Sequence, residues 1–173
     1  MSNYELANER FAAMPALAEV VAHPLFRENM TRIYDYEQNR IYCKHGMSHL
    51  LDVARIAYIA ALEESMPLKK EVIYVAALLH DIGRAKQYES GVEHDVAGAR
   101  IAQDILQENI YFSDAEKDQI VQAIANHRQS IEGMTLLQSV IFRADKSSRK
   151  CYMCKAQDTC KWSRDKMNLD IRI

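Results

Sequence analysis

The stretch Val72–Arg84, VIYVAALLHDIGR, constrains this chain most. An apolar run from Val72 to Leu79 ends abruptly in His80-Asp81, and Gly83 follows at once. The run is long enough for a buried helix, and Gly83 stands where a helix would stop. A core helix is therefore expected to deliver a His and an Asp together at its C-terminal end. Neighbouring helical residues point about 100° apart, so both side chains can serve one atom only if it lies off the helix end. That end carries the partial negative charge of the helix dipole, which favours a cation. Read alone, the pair is equally well a polar helix ending.

The surrounding chain predicts more helices. At 173 residues and 49% hydrophobic, it fits a single domain with a sizeable core. Five Gly and three Pro suit helices joined by short loops. The net charge of −2 gives no reason to expect nucleic acid or an acidic membrane as partner. No apolar stretch approaches a membrane span, and the polar, acidic N-terminus is no signal peptide, so a cytoplasmic location is expected. Four cysteines in that compartment are thiols or metal ligands before they are disulfides.

The N-terminal arm, residues 1–39, reads as a short helix Tyr4–Met14 and two more, Ala16–Ala22 and Leu25–Gln38, with Pro15 and Pro24 in their first turns. His23, at the junction of the last two, reads as a surface residue. Gly46-Met47-Ser48 starts a helix on which His49, Val53, Ile56 and Ala60 share one face, so His49 lies on an apolar stripe. Pro67 separates it from the helix over 68–80, after which Arg84–Glu93 reads as a polar loop. His94 opens a helix with Ala97, Ile101 and Ile105 inward. Ser113 and Glu116 form a capping box, and Ile120, Ile124 and His127 share the face that follows. The last clear helix runs from about Met134 to Ser147, where Leu137, Ile141 and Asp145 recur every four residues. A carboxylate on a buried stripe is costly without a cation or a full set of donors.

A single histidine on an apolar face is usually a core residue with its own hydrogen-bond partner. Here separate helices bring His49, His80, Asp81, His127 and Asp145 inward, with His94 at a helix start. One cluster of metal ions satisfies all six at once. Imidazole and carboxylate together suit iron, manganese, nickel, cobalt or zinc without choosing among them.

These residues carry a resemblance. His49 in HLLDVA, His80-Asp81 in LLHDIG and Asp145 in FRADK resemble the ordered H…HD…D motif of the HD superfamily of metal-dependent phosphohydrolases, over roughly residues 40–150. His94 in EHDVAGA and His127 in IANHR resemble the two extra histidines of its two-metal subgroups. The resemblance implies an all-α bundle with the site at its centre, residues 1–173 forming one HD domain with a cysteine-containing tail, 151–173. It assigns His49, His80, Asp81 and Asp145 to one ion, with Asp81 bridging to a second held by His94 and His127. The segment MTLLQSVIFRAD is also similar to a helix of bacterial HD-type diadenosine tetraphosphate hydrolases, though the longer arm and the cysteines depart from that subgroup.

The chemistry so implied is attack of a metal-bound hydroxide on phosphorus, with His80 and Asp81 at the reacting centre. Arg84, Arg128 and Lys146, beside the ligands, are the expected phosphate contacts. The expected partner is a small phosphorylated substrate, a nucleotide or another metabolite; a homodimer is permitted. Two alternatives share the ligands: a di-iron HD-type oxygenase, and a regulatory nucleotide-binding domain that does not turn over. Separately, Cys151, Cys154 and Cys160 form C-x2-C-x5-C, and Cys43 lies six residues before His49. If His49 and Asp145 converge, the chain just outside each can converge too, giving a four-thiolate zinc or iron–sulfur site; free thiols in an irregular tail are the plain alternative.

Overall fold

A computed structural model describes Phe11 and residues 13–129 and 132–171. Among them the regular structure is entirely helical: α1 (Pro15–Ala22), α2 (Pro24–Glu37), α3 (Met47–Glu63), α4 (Lys70–Leu79), α5 (Arg84–Ser90), α6 (His94–Glu108), α7 (Asp114–Asn126) and α8 (Leu136–Ser147). Three single turns of 3-10 helix follow in the tail. The expected helix Tyr4–Met14 falls largely outside the described residues. No described helix is long and apolar enough to cross a membrane.

The architecture follows from α4. Its Val72, Ile73 and Val75–Leu79 are all buried, so the helix has almost no solvent face and needs neighbours on every side. It packs against α1, α3, α7 and α8, while α6 lies along α7 and α5. Pro15 and Pro24 each begin a helix, where a missing N–H costs nothing. The Ser113–Glu116 capping box forms at the start of α7, and a second, Thr135 with Gln138, starts α8. Each satisfies two otherwise orphaned backbone donors.

Two expectations change, and the role of Gly83 becomes specific. The polar stretch after Arg84 is not a loop but helix α5, whose seven residues are too few to display a period. It is held from outside: Ala85 is buried, Arg32 pairs with Glu89, and the Tyr88 hydroxyl donates to Glu37. Gly83 is a glycine for space, not for a left-handed turn, since its φ is −78°. A Cβ there would meet the His94 carbonyl at 2.2 Å and the Gly98 nitrogen at 2.4 Å, so α6 crosses the HD turn backbone to backbone. His23 is not a surface residue: its side chain is largely covered, accepts from Leu25 N at 3.2 Å and caps α2.

Candidate metal centre

Helix ends build the site. α4 stops at Leu79, and the turn that follows carries His80 and Asp81, both almost fully buried. His49 sits in the first turn of α3, His94 opens α6, His127 caps the C-terminal end of α7, and Asp145 lies in the last turn of α8. Helix ends can bring side chains from five elements to one point because only there does the backbone not stand between them. All six expected ligands meet. His49, His80 and Asp81 form one group, and Asp81, His94 and His127 a second, with ligand atoms mutually within 4.8 Å.

Asp81 divides its two oxygens between them. Oδ2 lies 3.4 Å from His49 Nε2 and 3.2 Å from His80 Nε2. Oδ1 lies 3.3 Å from His94 Nε2 and 3.7 Å from His127 Nε2. Asp145 joins the first group, its Oδ1 3.6 Å from His49 Nε2 and 3.9 Å from His80 Nε2. Its Oδ2 is turned to Lys146 and Arg149.

Each ring is oriented by its outer nitrogen. His80 Nδ1 meets Ala77 O at 2.6 Å, His127 Nδ1 meets Ile124 O at 2.7 Å, and His94 Nδ1 meets Gln87 Oε1 at 2.8 Å. Those acceptors assign the ring proton to Nδ1. Ser148 donates its hydroxyl to Asp145 O, which leaves its oxygen to accept from His49 Nδ1 at 3.3 Å. The four Nε2 lone pairs therefore all face inward. Two pairs of them stand close, His94 against His127 at 3.1 Å and His49 against His80 at 3.4 Å. Lone pair against lone pair repels, and a cation between them reverses the sign.

The carboxylate points the same way. Both oxygens of Asp81 are buried, and neither accepts an aligned hydrogen bond. Arg84 Nε approaches Oδ1 at 2.8 Å, an ion pair by distance, but its N–H is not aimed at the oxygen. Burial pushes the Asp81 carboxyl up; the charge of Arg84, the largest opposing influence, helps hold it well below the usual range, so it stays ionised. Burial, with Arg84 next, pushes His94 down to about 2, which keeps the ring neutral. Ionised carboxylates and neutral imidazoles are the protonation states a divalent ion requires. The donor set fits one ion at His49, His80, Asp81 and Asp145 and another at Asp81, His94 and His127.

His49, His94, His127 and Asp145 of the cluster line a cleft of about 700 Å³, within the range of ligand pockets, with His80 and Asp81 buried behind them. Arg84, Arg128 and Lys146 all line it. Arg84 is drawn onto Asp81, Arg128 onto Glu93 and Asp95, and Lys146 onto Asp145. Arg40, Lys44, Arg149, Lys150 and Lys161 line it as well, against two carboxylates, Asp52 and Asp145. Sequence reasoning missed this wider basic wall, because its members come from the α2–α3 connection and the tail.

It also missed a second buried charge. Glu37 accepts from His45 N at 2.6 Å and from Tyr88 Oη at 2.5 Å, with His45 Nδ1 a further 2.6 Å away. The His45 ring stands edge-on to His49, 5.4 Å between centroids, and lines the cleft. Glu37, His45 and Tyr88 share no sequence period, so no pattern could have joined them. Ser148, directly after α8 and three residues past Asp145, was the one outer partner with a local signal, that of a helix C-cap.

The HD domain family model matches residues 46–150. The chain belongs to the HD domain family. It is 43% identical over 137 residues to an uncharacterized protein of Clostridium beijerinckii, spanning 79% of this chain and 85% of that one. It is 31% identical over 104 residues to ribonuclease Y of Rubrobacter xylanophilus, and 29% over 133 residues to ribonuclease Y of Acetivibrio thermocellus. Those matches span only 18% and 23% of the ribonucleases' own lengths. Among solved structures, a predicted HD superfamily hydrolase from an uncultured Thermotogales bacterium superposes with a TM-score of 0.62 at 22% identity, over 84% of this chain and 80% of that one, a likeness of fold. The HD motif of this family member is His80-Asp81, and the cluster around it is a site that can hold divalent metal.

Proposed function

We propose that the chain is a metal-dependent phosphohydrolase, cleaving a phosphate ester or anhydride of a nucleotide or another small phosphorylated metabolite. The observation that carries this reading is Asp81, buried beneath a basic cleft with its two unbonded oxygens split between two pairs of histidines, of which His49, His94 and His127 line the cleft. Divalent ions bound there would acidify a water and neutralise charge on the phosphoryl oxygens. The chain's own residues do the rest. His49, His80, His94 and His127 keep their lone pairs inward through the outer bonds described above. Arg128 and Lys146, already anchored by carboxylates, meet substrate phosphate with little left to order. Arg84 buffers the charge on Asp81 and reaches the same cleft. Phosphoryl transfer is mainly positioning and electrostatics, which such a cleft supplies.

The density of cations favours phosphate over dioxygen as the cleft's occupant. The ribonuclease Y relatives bear a name that implies a phosphodiester substrate, which also favours phosphorus as the reacting centre. Purified protein reconstituted separately with iron, manganese, nickel, cobalt and zinc should be screened against nucleoside mono-, di- and triphosphates, dinucleoside polyphosphates, short oligoribonucleotides and nitrophenyl phosphates, with oxygen uptake followed in parallel. Metal-dependent release of phosphate or nitrophenol is expected. Oxygen consumption without any phosphoryl release would replace this reading with the oxygenase.

A further inference from the structure

Polar contacts, not thiolates, fix the tail beyond α8. Cys43, Cys151, Cys154 and Cys160 are free thiols. Among the described residues, the groups of three donors close enough to share an ion are the two at Asp81, and no cysteine belongs to either. Asn168 ties the tail instead, donating to Ser147 O at 2.7 Å and Arg149 O at 2.9 Å. The Arg149 guanidinium sits over Trp162, 4.6 Å from the ring centroid, and its Nη2 lies 3.8 Å from Asp145 Oδ2. Trp162 is thus one side chain removed from the His/Asp centre.

A further hydrogen bond sets the tail against the α2–α3 connection. Tyr42 Oη donates to Thr159 O at 3.0 Å, across 117 residues. Arg40 and Lys44 flank Tyr42, and Lys161 lies just past Thr159. That bond therefore brings three cations together, and all three line the cleft. Each is held by a contact that leaves its charge uncompensated. Arg40 Nε donates to Cys43 O at 2.8 Å, Lys44 Nζ donates to Gln38 O at 2.8 Å, and Lys161 Nζ stands 5.7 Å from the Trp162 ring centroid. The other cations of the cleft have carboxylates: Lys150 meets Asp52 at 3.0 Å, and Arg84, Arg128, Lys146 and Arg149 are paired as well. Among the described residues, no carboxylate lies within ion-pair distance of Arg40, Lys44 or Lys161. In a chain with more acidic than basic residues, three unpaired cations on one wall of a ligand-sized cleft favour an anion there. All three, with Trp162, fall outside residues 46–150 that match the HD domain model.

We propose that Arg40, Lys44 and Lys161 form a second anion subsite, which takes the phosphates of a phosphoanhydride chain beyond the phosphoryl group held at the His/Asp centre. The proposal rests on the phosphohydrolase reading for the reacting end, but the subsite binds without turnover. The substrate class is then a small molecule with two or more linked phosphates, such as a nucleoside di- or triphosphate. A cleft of about 700 Å³ suits a molecule of that size rather than a polymer. Attack by water breaks the P–O–P bridge, leaves one phosphate at the centre and the shortened chain on the subsite, and releases a proton to solvent.

Trp162 is the single tryptophan of the chain, so its emission reports on this wall. The full chain as purified, with excess magnesium, should be titrated with methylphosphonate and with the bis-methylene analogue of tripolyphosphate, which water does not cleave. Affinities come from calorimetry and location from Trp162 emission. The analogue should bind at least about 10-fold more tightly than methylphosphonate and shift the emission. Arg40→Ala and Lys161→Ala should each weaken the analogue about 5-fold and leave methylphosphonate unchanged. Lys161 is exposed, so its variant keeps the test open if Arg40→Ala disturbs the connection. Arg100→Ala makes the same change of charge on an exposed part of α6 and should leave both affinities unchanged. Equal affinities for the two probes, an equal loss in Arg100→Ala, or tighter binding of a short oligoribonucleotide than of the analogue would each overturn the proposal. Subsite binding as expected with no phosphate ester turned over would defeat the hydrolase reading alone. Turnover of nitrophenyl phosphate with equal affinities for the two probes would defeat the subsite alone.

Discussion

Glu37 and Asp81 are both buried carboxylates near His45, yet they are buried in opposite ways. Glu37 receives a backbone N–H and a tyrosine hydroxyl and lies within hydrogen-bond reach of an imidazole nitrogen. Asp81 receives no aligned hydrogen bond at all. Burial pushes Glu37 up, but its bonds outweigh that and bring it down to about 2, while burial first and the bond to Glu37 next raise Tyr88 to about 12. The protein itself completes the surroundings of Glu37, whereas around Asp81 it assembles lone pairs. The difference separates a carboxylate that organises the fold from one left open for a ligand, a distinction that burial alone cannot make.

The sharpest way to break this contrast is Asp81→Asn, which keeps the shape and removes the charge. Turnover on whichever phosphate ester the screen identifies should fall more than about 100-fold, beyond the usual effect of losing an outer-shell partner. Elemental analysis should find at least one ion lost. Full metal content with full turnover would remove Asp81 from its bridging role.

A second test separates the two oxygens of Asp81. His94→Ala and His127→Ala should each keep one ion per chain, on the Oδ2 side, whereas His49→Ala should disturb that first ion. Equal stoichiometry in all three variants would contradict the division.

Glu37 should behave differently. Glu37→Ala strands the donors that converge on it and should cost about 3 kcal/mol or more in urea unfolding. Its metal stoichiometry should stay at the wild-type value, and a loss of ions would make Glu37 part of the centre. The sign of its pH dependence follows from its depressed pKa. Between the ordinary carboxylate value of 4.5 and about 2, the unfolded chain binds the proton more readily. Glu37 therefore adds stability that is present above about pH 4.5 and is lost as pH falls through 2. Unfolding free energies measured across that window should fall more steeply for wild type than for Glu37→Gln. Parallel profiles would show that the bonds to Glu37 do not favour its charged form.

The smallest effect is expected at Gln87. Gln87→Ala frees His94 Nδ1 and should weaken the second ion by about 10- to 100-fold, read by competition with a chelator, with little change in melting temperature. An unchanged affinity would mean that the position of His94 at the start of α6 suffices to orient its ring.

The sequence by itself determined the six donors and every long helix they stand on, but not the short helix α5. Apolar residues at helical spacing and polar caps are local signals, and they located α1, α2, α4, α7 and α8 to within about two residues at each boundary, together with the starts of α3 and α6. His127 and Asp145 were legible because each extends a buried stripe where an unpartnered polar group is costly. Only the tertiary structure decided the rest. That Asp81 faces two groups, that Gly83 admits the backbone of α6, and that Arg84 leans on Asp81 depend on how separate helices cross. Glu37, His45 and Tyr88 meet across gaps of 8 and 51 residues, and no periodicity spans such gaps. Local propensity acts within a few turns of chain, whereas the partners of a buried charge are chosen by whatever the packed core brings beside it.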